Sequence, residues 1–200
     1  METTALKTII LGLGNTILTD DGAGIYVVRE IRKLLPETWD VGRRTEPGIR
    51  DPGHDGRGMK DETLLEQTSD LTISRSHDLT IEEASIGGFN FIDLLAGYDR
   101  AVIVDAIHTK DGRPGEFYEL DPAALKPSAR LSSLHQIDFA TACELAKNMG
   151  IAFPKEIAIF VIEVEDEFSF GEKPTPKVEA AIPQMAESIV EILRNRTWII

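Results

Sequence analysis

The stretch Ile10–Gly24 reads ILGLGNTILTDDGAG, and its reading decides the fold. Leu6 to Leu13 is a short apolar run ending in glycine, as a buried parallel strand would be. After Asp20-Asp21-Gly22, apolar residues fall at Ile25, Val28, Ile31 and Leu35, the spacing of one helix face, and Pro36 stops the helix. Strand, glycine turn and helix follow one another here, but two carboxylates stand where a phosphate-binding turn wants none. Gly12 and Gly14 match the first two glycines of a dinucleotide fingerprint, yet the third position is Ile17. Asp20 and Asp21 at the helix start would repel a pyrophosphate. The nucleotide reading therefore fails on both counts.

Outward from this unit, order is lost between about residues 38 and 78. Glycines, prolines and charges of both signs break every period, and only a short helix near Glu62–Thr68 is expected. A loop of this length inside one domain is either functional or a mobile surface insertion. A strand is predicted over Leu79–Ile86, closing on Gly87-Gly88, and a short helix over Asn90–Ala96. A buried strand over Ala101–Val104 ends at Asp105. Glu116–Leu120 alternates like a more exposed strand, and Leu134–Met149 reads as a helix followed by Gly150. Another apolar strand spans Ile157–Val164. Thr175-Pro176 opens a last helix, with Val178, Ile182, Met185, Ile189 and Ile192 on one side and a kink expected at Pro183. Alternating strands and helices predict a three-layer α/β sandwich with a mostly parallel sheet, one domain over residues 1–200.

The 200 residues carry a net charge of −13, which argues against nucleic acid or an anionic membrane as partner, since both need a basic face. The single cysteine, Cys143, permits no intramolecular disulfide and reads as core. Met1–Lys7 is short and polar, unlike a secretory signal, and no apolar run nears the roughly 20 residues of a membrane helix. A cytoplasmic location and a monomer are the simplest expectations. The tail Trp198-Ile199-Ile200 either packs down or frays.

Ligands of such sheets gather beyond the carboxyl ends of the strands. Three polar places, distant in sequence, can converge on that rim: Asp20 or Asp21, Asp105, and His135. Two carboxylates and an imidazole suit a borderline divalent ion such as nickel or zinc and leave coordination positions open. Ser133 and Gln136 have capping-box spacing, which puts His135 in a first helical turn, where the dipole favours the neutral, metal-binding ring. Each residue also has a plainer use. Either Asp can cap the following helix, Asp105 can be a buried hydrogen-bonding carboxylate, and the histidine can be structural. His108 is either a fourth ligand or an exposed loop histidine, while nothing ties His54 or His77 to the rim.

These residues resemble the motifs of hydrogenase maturation endopeptidases. Gly12-Leu13-Gly14-Asn15 with Asp20-Asp21-Gly22 is similar to the family's opening motif. So are Gly97-Tyr98-Asp99-Arg100 leading into Val104-Asp105-Ala106, then Pro114-Gly115, then Ser133-Leu134-His135. The resemblance spans the chain except roughly residues 38–78. It implies a phosphorylase/hydrolase-like fold and a cytoplasmic, aspartic-type protease. Such enzymes remove a short C-terminal extension from the [NiFe]-hydrogenase large-subunit precursor once nickel is inserted. It implies that Asp21, Asp105 and His135 are both the catalytic and the metal-contacting residues. The metal is then nickel carried by the precursor, with no intrinsic cofactor. The sequence departs from the pattern at Ile86-Gly87-Gly88, where many members have Asp-Gly-Gly, and at Asp21, where several carry Glu. The Gly87-Gly88 amides are a candidate oxyanion support. The water's activator, metal or carboxylate, stays open. Two other readings remain: a non-proteolytic nickel chaperone, and an esterase like peptidyl-tRNA hydrolase. The latter shares a Gly-Leu-Gly-Asn turn but needs a basic face and an early histidine; here none precedes His54.

Overall fold

The computed structural model describes residues 6–36, 41–42, 79–85, 90–120 and 143–199. Six strands form one sheet: β1 (Thr8–Leu13), β2 (Val41–Gly42), β3 (Leu79–Ala84), β4 (Arg100–Ile107), β5 (Phe117–Leu120) and β6 (Glu156–Glu163). Their order is β2-β3-β1-β4-β6-β5. Every pairing is parallel except that of β5 with β6, so the sheet is mixed and mostly parallel. The helices are α1 (Ala23–Leu34), α2 (Asn90–Leu95), α3 (described over 143–149) and α4 (Pro176–Asn195).

Alternation along each buried strand supplies two cores, one per face. Ile10, Val102, Val104, Phe160 and Ile162 meet α1 and α4 on one side. Ile9, Leu11, Leu13, Ile103 and Val161 meet α2 and α3 on the other. This is the expected three-layer sandwich. The residues predicted to face inward from α1 and α4 do so. Ile25, Val28, Ile31 and Leu35 are buried, as are Val178, Ile182, Met185 and Ile189, with Ile192 partly so. The residue before Pro36, Leu35, turns to extended backbone and ends α1, because the proline ring crowds a helical neighbour. The tail packs down, with Trp198 and Ile199 buried in the first core.

Some boundaries differ from the sequence reading. β4 does not stop at Asp105 but continues to Ile107, held by pairing with β6. β3 ends at Ala84. Thr175 precedes α4 but makes no capping bond; its hydroxyl is committed elsewhere, as described below. α4 runs on through Pro183. The segment 38–78, apart from Val41–Gly42, lies outside the described residues, as do Gly87-Gly88 and His135.

Candidate active site

The chain moves from β1 to β2 and β3 on one side, then returns across β1 to β4 and β6 on the other. The switch point therefore falls between β1 and β4, and a crevice opens there beyond their carboxyl ends. Pairing of β1 with β4 ends at Gly12 opposite Val104. Asp105 is the next residue of β4, bonded into the ladder only on its β6 side, opposite Val161. It is 2% exposed, and its Oδ1 accepts the Ala106 amide at 2.8 Å. Its place in the strand puts it on the same face as Ile103 and Ile107, the face that α2 and α3 cover.

Two glycines bring the β1–α1 loop down onto this point. A Cβ on Gly24 would fall on the carbonyl oxygens of both Leu13 and Val104. Only glycine lets α1 begin directly against the ends of β1 and β4. Gly14 has φ +136°, and a Cβ there would strike the Asp21 carbonyl. Asp21 lies three residues ahead of Gly24 in the same loop, with its backbone packed against Gly14.

The two adjacent acids have different jobs. Asp20 is fully buried and accepts four hydrogen bonds. Its donors are the amides of Glu165 (3.2 Å), Asp166 (3.1 Å) and Thr175 (2.6 Å) and the Thr175 hydroxyl (3.1 Å). Asp20 is therefore an anchor that ties the β1–α1 loop to the β6–α4 loop. Neither acid caps α1, whose N-cap position is Gly22 with no side-chain bond. Asp21 is only half-buried and lies close enough to Glu167 to raise that carboxyl.

Glu167 is a rim residue that the sequence reading missed. Its side chain is 18% exposed, and its Oε1 lies 3.8 Å from Nδ1 of His108. Burial raises its pKa most, His108 lowers it, and Asp21 raises it further. His108, 46% exposed, stands at this rim on the loop after β4. That loop is held from below by Glu163, 2% exposed, which accepts from the Thr109 amide and hydroxyl and from the Tyr118 hydroxyl. The only available signal for Glu167 was its place in the loop after a buried strand of the same sheet. Among the described residues, no group of three or more His, Cys, Asp or Glu side chains is placed to hold a metal. Asp21 lies in the β1–α1 loop and Asp105 near the end of β4, while the third expected partner, His135, is outside the described residues. Cys143 is half-buried against the second core, and burial pushes its thiol up to about 11, so it is not a poised nucleophile.

Fold and rim together define an α/β protein with carboxylates gathered at its switch point. A family model described as hydrogenase maturation protease matches residues 70–192. The chain belongs to that family, whose members are endopeptidases. It is 21% identical to the hydrogenase expression/formation protein HupD of Rhizobium leguminosarum bv. viciae, over 96% of this chain and 76% of that protein. Two solved structures share the fold. The hydrogenase maturating endopeptidase HybD from E. coli has a TM-score of 0.64 at 22% identity, covering 96% of this chain and 94% of that one. The [NiFe] hydrogenase maturation protease HybD from Thermococcus kodakarensis has a TM-score of 0.59 at 19% identity, covering 94% and 99%. The matched family segment includes Asp105 and His135 but begins after Asp21, whose place at the rim rests on the β1–α1 geometry. No helix among the described residues is long and apolar enough to cross a membrane.

Proposed function

We propose that this endopeptidase removes the C-terminal extension of a nickel-loaded [NiFe]-hydrogenase large-subunit precursor in the cytoplasm. Asp21, Asp105 and His135 engage the nickel that the precursor carries, and so seat its C-terminal segment at the switch point. The donor set fits: two carboxylates and an imidazole suit a borderline divalent ion and leave it open positions. A water then attacks the scissile carbonyl, its proton leaving to a rim carboxylate or to solvent; the C–N bond of the tetrahedral adduct breaks as the departing amine takes up a proton. The protease needs no metal of its own in this scheme.

One observation supports the reading. Gly24 seats the start of α1 against the ends of β1 and β4; Asp21 follows β1 in that loop, and Asp105 lies near the end of β4. Mass spectrometry of the precursor after incubation tests it. Nickel-loaded precursor should be shortened by wild-type protein and left whole by Asp21→Asn and Asp105→Asn. Nickel-free precursor should stay whole throughout. Equal cleavage of both precursors would remove nickel sensing, and binding without shortening would make the protein a chaperone.

A further inference from the structure

Among the described residues, the most exposed large apolar side chains are Phe170 (84%), Phe168 (80%), Met149 (64%) and Ile17 (63%). Three of these four belong to two loops that border the rim. Phe168 follows Glu167 directly, and Ile17 lies in the loop that carries Asp21.

The backbone beneath them is fixed rather than loose. Leu18 and Phe170 form an antiparallel bridge between the two loops. The Thr19 amide and hydroxyl both donate to the Ser169 carbonyl, and the Gly171 amide donates to the Ile17 carbonyl. Asp166 accepts from the amides of Phe168 and Ser169, while the Asn15 side chain accepts from the Ile17 amide. Gly171 admits the close approach of Thr19, whose hydroxyl a Cβ would strike at 2.6 Å. Apolar side chains held in water on an ordered backbone are set up for a partner, because little ordering entropy remains to be lost on contact.

The loop that carries the two phenylalanines is rich in acid. Residues 163–172 contain five carboxylates and no Lys or Arg. Glu163 is occupied by Thr109 and Tyr118, Asp166 by its own turn, and Glu165 by Lys177 at 3.4 Å. Glu167, with His108 3.8 Å away, and the exposed Glu172, followed by Lys173, flank the two phenylalanines. A second copy of this chain is a poor occupant. It would bring the same acids against themselves. Three side chains also bury far less than the ~800 Å² per partner of a stable interface. A small, preformed apolar patch beside these acids fits a transient partner of the opposite charge.

We propose that Phe168, Phe170 and Ile17 form the docking surface for the precursor itself. They receive an apolar side chain flanked by Lys or Arg on the segment that leads to the scissile bond. The inference rests on the endopeptidase reading of the rim and assigns substrate selection to a surface beside it. The Asp20 bonds that join the two loops hold this surface in register with Asp21.

The test uses the full chain with the nickel-loaded large-subunit precursor of the host's [NiFe] hydrogenase. Binding and cleavage are measured separately for wild type, F168S/F170S and I17S, with M149S as a control at an exposed apolar residue away from the rim. Thermal unfolding checks that each variant is folded. The expected result is a KM and a Kd raised on the order of tenfold or more in the Phe and Ile variants, as for truncated hot-spot aromatics. M149S should match wild type, and wild-type binding should weaken with salt. Unchanged KM in folded F168S/F170S overturns the docking surface and leaves the endopeptidase reading intact. Phe-dependent binding without cleavage in wild type keeps the docking surface and overturns the endopeptidase reading. No binding and no cleavage in wild type overturns both. A concentration-dependent dimer that F168S/F170S abolishes assigns the face to a second copy and overturns the proposal.

Discussion

Replacing Asp20 by Asn tests the buried anchor separately from its neighbour Asp21. The buried carboxylate accepts from Thr175 N on Oδ1, and from Glu165 N, Asp166 N and Thr175 Oγ1 on Oδ2. An amide of the same shape keeps one acceptor oxygen. Left at the Oδ2 position, that oxygen preserves three bonds and turns an NH₂ against the Thr175 amide. One buried backbone donor is then stranded, at about 1–3 kcal/mol. Asp20→Ala strands three amides and a hydroxyl. Counting only the amides, at the low end of about 1 kcal/mol each, it costs about 3 kcal/mol. For a chain of this size that corresponds to a fall in Tm of roughly 6–12 °C. Denaturant unfolding of wild type, D20N, D20A and D21N measures the series. The expected order of loss is D20A, then D20N, with D21N losing less, because Asp21 is half-buried where Asp20 is fully buried. If D20N and D20A both unfolded like wild type, Asp20 would not tie the two loops together.

Three further outcomes follow from the same geometry. Gly24→Ala forces a Cβ onto the Leu13 and Val104 carbonyls, so it should cost about 1–3 kcal/mol and impair cleavage, read by unfolding and by precursor turnover. The Glu83 carboxyl is held below its ordinary value of 4.5, first by the Arg29 hydrogen bond, so its stabilisation is complete above that pH and lost as pH falls through the lowered folded-state pKa. Because these side chains are partly exposed, the advantage of wild type over Glu83→Gln should stay within about 1 kcal/mol at pH 7 and vanish by acid titration of the two unfolding curves. Cys143→Ser should retain cleavage, and the wild-type thiol should resist alkylation at neutral pH, since burial lifts it to about 11.

The parallel strands were legible because burial on both faces leaves continuous apolar runs such as Ile157–Val164. The helices were legible through their one-sided spacing and the stops at Pro36 and Gly150. The extra residues of β4 were hidden because Asp105 interrupts an apolar run that the neighbouring β6 ladder nonetheless extends. Spacing alone could not tell Asp20 from Asp21, and only the family resemblance singled out Asp21. What turns Asp20 inward is a set of amides 145–155 residues away, and no local pattern reports them. Glu167 was hidden for a similar reason: an acid in an acidic loop reads as solvation until His108 and Asp21 are placed beside it. Phe168 and Phe170 were visible as two aromatics in that loop, but only the cross-loop bridge shows that they are held outward.

The account turns on whether acids from the tips of β1 and β4 serve one ion. Anomalous diffraction from crystals soaked in a nickel salt measures this directly. The expected peak lies at bonding distance, roughly 2 Å, from carboxylate oxygens of both Asp21 and Asp105, with the His135 ring as a third neighbour. Nickel bound elsewhere on the chain, with those two carboxylates left bare, would contradict it.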